Sequence, residues 1–188
     1  MKKQTQTSLR ARLRTDTRLA HEQLDQEVSR FDLTTPNGLI GFLDMQSAAF
    51  QTLLEFYASA KTEAMIRDLL ERATLDLCEL RSSAETVPAA IEPVHPLSID
   101  YAVAGSRLGS RLLKKRWQAA TDPKVRRARA YFSAPSYIDI WASFCDATEA
   151  MQSTGPQADQ VVKDANRIFH MYHECARALM LTKEATHV

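Results

Sequence analysis

Apolar residues recur along this chain at intervals of three and four, the signature of helices that each bury one face. In "SLRARLRTDTRLAHEQLDQEVSRF", Leu13, Thr17, Ala20, Leu24 and Val28 share such a face and predict a first helix ending near Phe31. "TTPNGLIGFLDMQSAAFQTLLEFYASA" predicts a second, capped by Thr35, opened by Pro36 and reaching about Ala58. A third starts at Thr62, with Ile66, Leu69, Leu70, Leu77 and Leu80 for the core. Pro88, Pro93 and Pro96 then forbid a continuous helix and predict the longest loop. Further helices are expected from about Ser98 to Ala120, around Val125 to Tyr131, after Pro135, and from Gln157 to about Leu181, with Gly155 and Pro156 punctuating the last junction. No stretch alternates with the period of a strand.

The pattern predicts an all-α fold, one domain over residues 1–188 with six to eight helices. Residues 1–8 are expected to form a flexible N-terminus and 183–188 a frayed C-terminus. Composition agrees: only five glycines in 188 residues, with 45% hydrophobic and 25% charged residues, suit a helical globular protein. Cys78, Cys145 and Cys175 form no C-x-x-C pair and leave one thiol over in any disulfide scheme, which favours a reducing compartment. The basic N-terminus precedes no apolar stretch, and no later run reaches membrane-spanning length, so a cytoplasmic location without membrane contact is expected.

Charge is balanced overall at +1 but uneven along the chain: Arg107 to Arg129 holds nine Lys or Arg against the single acid Asp122. An anionic partner is therefore plausible. Nucleic acid is the weaker option, because acids are not depleted elsewhere and no reading-head motif is present.

Two constellations carry candidate chemistry. Arg14, Arg18 and His21 stand at i, i+4 and i+7, with Asp25 one turn beyond. A carboxylate at i+4 can hold the Nδ1 proton of an imidazole and leave Nε2 for a metal, while the arginines suit carboxylates of the same ligand. An ordinary solvated helix face has the same pattern. The second is Gly105 and Gly109 in "AVAGSRLGSRLL". Each helical glycine costs about 1 kcal/mol against alanine, so the pair calls either for close helix packing, with Ala102 and Ala104, or for a flat ligand on bare backbone. His170, His173 and Cys175 read as partly exposed helix residues, since no further ligands complete a zinc site. The lone Glu-x-x-His, Glu184 to His187, sits at the C-terminus.

Together "LRTDTRLAHEQLD", "YAVAGSRLG", "WASF" and "ANRIF", in this order over about residues 9–180, resemble the haem oxygenase family, in particular its bacterial, biliverdin-producing, phytochrome-associated branch. The resemblance implies a haem-oxygenase-like helical bundle that cleaves haem to biliverdin, CO and ferrous iron with O2 and electrons from a donor such as a ferredoxin or a reductase. His21 would be the iron ligand, Asp25 its hydrogen-bonding partner, and Arg14 and Arg18 the contacts to the propionates. Gly105, Ser106 and Gly109 would form the distal helix, with Tyr101 and Phe169 lining the pocket. Arg111 and Lys115 are candidate additions on the propionate side. The chain departs from the family pattern at Ala104, where many members carry an acid, and at Ser110, where they carry a glycine. These departures keep a non-catalytic haem-binding or haem-carrier protein as the alternative.

Overall fold

The computed structural model describes residues 8–80 and 89–185. The expectations for residues 1–7, Pro88, the Glu184 to His187 pair and the last three residues lie outside what it describes. Among the described residues eight α-helices, α1 (Leu9–Asp16), α2 (Arg18–Ser29), α3 (Pro36–Leu53), α4 (Ala60–Glu79), α5 (Pro96–Gln118), α6 (Pro123–Arg127), α7 (Ile138–Glu149) and α8 (Pro156–Ala185), follow one another, with a 3-10 turn at Tyr131–Ser133. The fold is all-α. Among the described residues no helix is long and apolar enough to cross a membrane.

Local chemistry accounts for most helix starts. Thr35 accepts from the amide of Gly38 and Pro36 fills the first helical position, as the sequence predicts. Gly38 is needed there, because a Cβ would come within 1.9 Å of the Asp32 carbonyl oxygen. Ser8 caps α1, Ser59 caps α4 and Asp122 caps α6. His95 caps α5 through a Leu97 N–H that donates to its Nδ1 at 3.2 Å, with Pro96 in the first turn. The helix thus starts two residues before Ser98, because a proline at that position lacks only an N–H the helix never uses.

Further boundaries differ from the periodicity: the helix expected around Val125 to Tyr131 is α6, which ends at Arg127 because Ala128, at φ −73° and ψ 78°, leaves the helix. The first predicted helix is two: Thr17, at φ −102° and ψ −2°, separates α1 from α2. Helix α3 stops at Leu53, not Ala58, in a tightening turn in which Glu55 N–H donates to Thr52 and Phe56 N–H to Leu53. Helix α4 starts at Ala60 because Ser59, ahead of the expected Thr62, supplies its cap.

The larger core unites α3, α4, α5 and the C-terminal half of α8, including Phe42, Phe50, Ile66, Leu69, Ile99 and Ile168. A smaller one joins α1, α7 and the start of α8 through Leu9, Leu13, Phe144, Val161 and Ala165. Tyr101 and Trp141 pack against both clusters and mark their seam.

Helix α5 is tied to four neighbours. The His95 amide donates to Asp164 at 2.9 Å, Ser98 Oγ donates to the Val161 carbonyl at 2.9 Å, and Ser59 Oγ donates to Asp100 at 2.9 Å. Thr17 and Tyr101 pair their hydroxyls at 3.1 Å. At its far end Arg116 donates to the carbonyls of Ser29 and Phe31, the last turn of α2 and just beyond, where helix carbonyls lack partners.

Candidate functional site

A cavity of about 720 Å³ opens at the seam between the two cores, within the range of small-molecule sites. Helices α1 and α2 bring Arg14, Arg18 and His21 to it, α5 brings Tyr101, Gly105 and Ser106, and α8 brings Phe169. Three stretches of sequence far apart in the chain thus meet at one opening.

His21 is positioned from two sides. Its Nδ1 lies 3.1 Å from Asp25 Oδ2 one turn on, and its ring meets Phe169 edge-on at 5.2 Å between centroids. With the side chain 46% exposed, Nε2 makes no hydrogen bond among the described residues. Hydrogen bonding to Asp25 raises the pKa of His21 above its ordinary value, outweighing the opposing effect of burial. Asp25 itself stands behind the imidazole and outside the cavity wall.

Arginines form the mouth. Arg18 is held by Glu22 at 3.1 Å, whereas Arg14 has no ion-pair partner among the described residues. Arg10, one turn before Arg14, also lines the cavity and bonds Glu149 at 3.5 Å. No Asp or Glu lines it, so its charge is positive.

On the α5 wall, Gly105 faces the indole of Trp141: a Cβ would lie 3.2 Å from the ring. Gly109 faces open space and does not line the cavity, although it shares the face of Gly105 one turn on. Ser106 Oγ donates to the Val103 carbonyl at 2.8 Å, which leaves its oxygen lone pairs as acceptors. Arg111 and Lys115 lie away from the cavity. At about 100° per residue, position 111 is about 120° round the helix from position 105, and 115 is nearly three turns along it.

Ala104, beside the glycine, is buried in the larger core. Trp141 and Leu108 complete the apolar lining. Arg10, Leu108 and Trp141 are site residues beyond those the sequence predicts; the four-residue spacing of Arg10, Arg14 and Arg18 is the signal in the chain for the first.

The basic stretch from Arg107 to Arg129 does not form one face. Arg107 is buried, Arg116 caps α2, and Arg127 pairs with Glu79 at 2.6 Å. On α8, His170, His173 and Glu174 place one ligand atom each within 4.8 Å of the others, with Glu174 already bonded to His173 at 3.2 Å. Cys175 is buried apart from them, and burial pushes its thiol up to about 11, so it is not a thiolate at neutral pH. No family model, curated protein or solved structure matches the chain.

Proposed function

We propose that the chain is a haem oxygenase that binds haem through His21 and cleaves it to biliverdin, CO and ferrous iron, using O2 and electrons from a ferredoxin or reductase. One observation carries the reading: an imidazole whose Nδ1 is engaged by Asp25 lines the same cavity as Arg10, Arg14, Arg18, the aromatic residues Tyr101, Trp141 and Phe169, and Gly105. This donor set suits a flat, apolar macrocycle that carries a metal and two carboxylates.

Bound haem supplies both the iron that takes up O2 and the macrocycle that is oxidised. The protein's part is binding, orientation and control of water. Asp25 fixes the tautomer of His21 and leaves Nε2 as the atom that would hold the iron. Arg10, Arg14 and Arg18 at the mouth would meet the two carboxylates of the ring and so help fix its orientation. Trp141, Tyr101, Phe169 and Leu108 cover apolar surface and exclude bulk water. Ser106, its proton committed to Val103, would be able to accept from a water in the cavity.

A binding or carrier role without turnover is the second reading. It is favoured by Ala104, which puts a methyl group in the core where many haem oxygenases carry an acid.

Titration of the purified chain with hemin tests the first step. A histidine-ligated Soret spectrum is expected, and its persistence with unchanged affinity in His21→Ala would remove the ligand assignment. Ascorbate or a reductase with O2, followed by product chromatography, tests the second. A bilin product supports the oxygenase; intact haem, transferable to another apoprotein, supports the carrier.

A further inference from the structure

Helix α5 borders a second cavity, on its other side. Arg107, Ser110, Arg111 and Lys114 follow one another at helical spacing and, at about 100° per residue, centre roughly opposite Gly105. Together with the segment from Phe132 to Ile138 they enclose about 420 Å³, and Leu108 lines this cavity as well as the first.

Arg107 is the unusual member. It is 8% exposed, and its buried Nε has no hydrogen-bond partner. Its guanidinium carbon lies 5.5 Å from the ring centroid of Tyr131 and 5.9 Å from that of Tyr137. Those π faces offset part of the cost of burying the charge, but neither supplies a counter-charge. The nearby carboxylate, Asp68, forms no ion pair with Arg107 among the described residues: its Oδ2 accepts from Arg72 Nε at 2.7 Å and from the Tyr137 hydroxyl, and its charge reaches Arg107 only through space. Among the described residues neither Arg107 nor Arg111 nor Lys114 forms an ion pair, and no acid lines the cavity.

The wall facing these cations is mostly apolar, with Ser136 as its polar member. Phe132, Ala134, Pro135 and Ile138 line it, and Asp76 holds its start by accepting from the amides of Ala130 and Tyr131 at 2.8 Å each. Three cations against a fixed, mostly apolar wall define an amphipathic site. A ligand with negative charge at one end and hydrocarbon at the other would match it.

We propose that this cavity binds a small organic carboxylate with an apolar body. The planar guanidinium forks of Arg107 and Arg111 match a carboxylate, Lys114 adds a point charge, and the opposite wall covers the hydrocarbon. Inorganic phosphate would satisfy the charge but leave that wall facing water. The site is independent of haem and of the reading given to the first cavity.

The test is amide NMR of the full-length isotope-labelled chain titrated with benzoate, and in parallel with benzyl alcohol and with inorganic phosphate. Benzoate should give saturable shifts at residues 107–114 and 132–138, with affinity above that of either comparison ligand by about tenfold or more. Arg111→Ala combined with Lys114→Ala changes only outer residues and should keep the folded spectrum while losing about tenfold or more in benzoate affinity. Arg107→Met should abolish the site, and the outer double variant keeps the test decisive if Arg107→Met fails to fold. No saturable shift, shifts confined to Arg10–His21, unchanged affinity in the double variant, or phosphate binding as tightly as benzoate would each overturn the proposal.

Discussion

The hydroxyls of Thr17 and Tyr101 lie 3.1 Å apart and join the break between α1 and α2 to the middle of α5. Thr17 also donates to the Leu13 carbonyl at 2.8 Å, so its proton is committed and Tyr101 is the donor between the two hydroxyls. The contact sets the distance between the helix that carries His21 and the wall that carries Gly105.

Thr17→Val keeps the shape of this buried side chain and removes both bonds. A loss of about 1–2 kcal/mol in unfolding free energy is expected by urea denaturation. Tyr101→Phe should cost less, and the double variant should fall short of the sum by about 0.5–1 kcal/mol. Strict additivity would show that the pair is not coupled in solution.

The His21 and Asp25 pair sets a pH dependence with a definite sign. Because the folded-state pKa of His21 is raised above 6.5, the ion pair adds stability that is fully present below 6.5 and disappears as pH rises through the higher folded value. Iron ligation needs the neutral ring, so hemin affinity should grow as pH rises through that same value. An NMR titration of the His21 ring should give a midpoint above 6.5, and Asp25→Asn should move both the midpoint and the onset of hemin binding downward. A midpoint unaffected by Asp25→Asn would show that the carboxylate does not hold the ring.

The two glycines of α5 should respond differently to alanine. At Gly109 no heavy atom would lie within 4 Å of the new Cβ, so Gly109→Ala should stabilise the ligand-free chain by about 0.5–1 kcal/mol through helix propensity alone. At Gly105 the methyl meets Trp141 at 3.2 Å, and the ring must shift, which cancels much of that gain. Calorimetry on both variants separates the cases. Weaker hemin binding by a stabilised Gly109→Ala chain would show that this glycine is kept for the ligand and not for the fold.

Gly38→Ala should destabilise the chain by about 1–3 kcal/mol. The added Cβ would sit 1.9 Å from the Asp32 carbonyl oxygen, forcing apart the turn that Asp32 and Thr35 build before α3. A thermal melt unchanged from the parent would mean that this turn yields freely.

Much of the helix inventory was legible because its causes are local. Thr35 with Pro36 at the start of α3 and Pro36-like signals at Pro156 act over one turn, and the apolar period reports the buried face of each helix. His21 and Asp25 meet at i, i+4 for the same reason. The Thr17 break was not legible: Thr17 fits the apolar stripe, and its role depends on Tyr101, 84 residues away.

The site divides along the same line. Residues close in sequence, such as Arg14 at the end of α1 and Arg18 and His21 on α2, follow from helical spacing, and so does a glycine stripe on α5. Which neighbour covers that stripe does not. Trp141 opposes Gly105 because α7 packs against α5, and Arg107 is buried, where its place in a basic run suggested a solvated charge, because Tyr131 and Tyr137 close over it. Hydrogen bonds and periodicity within a helix reach only about four residues. Burial and cavity shape arise where segments far apart in the chain are brought together, and there the packing of α1, α2, α5, α7 and α8 decided what the chain alone left open.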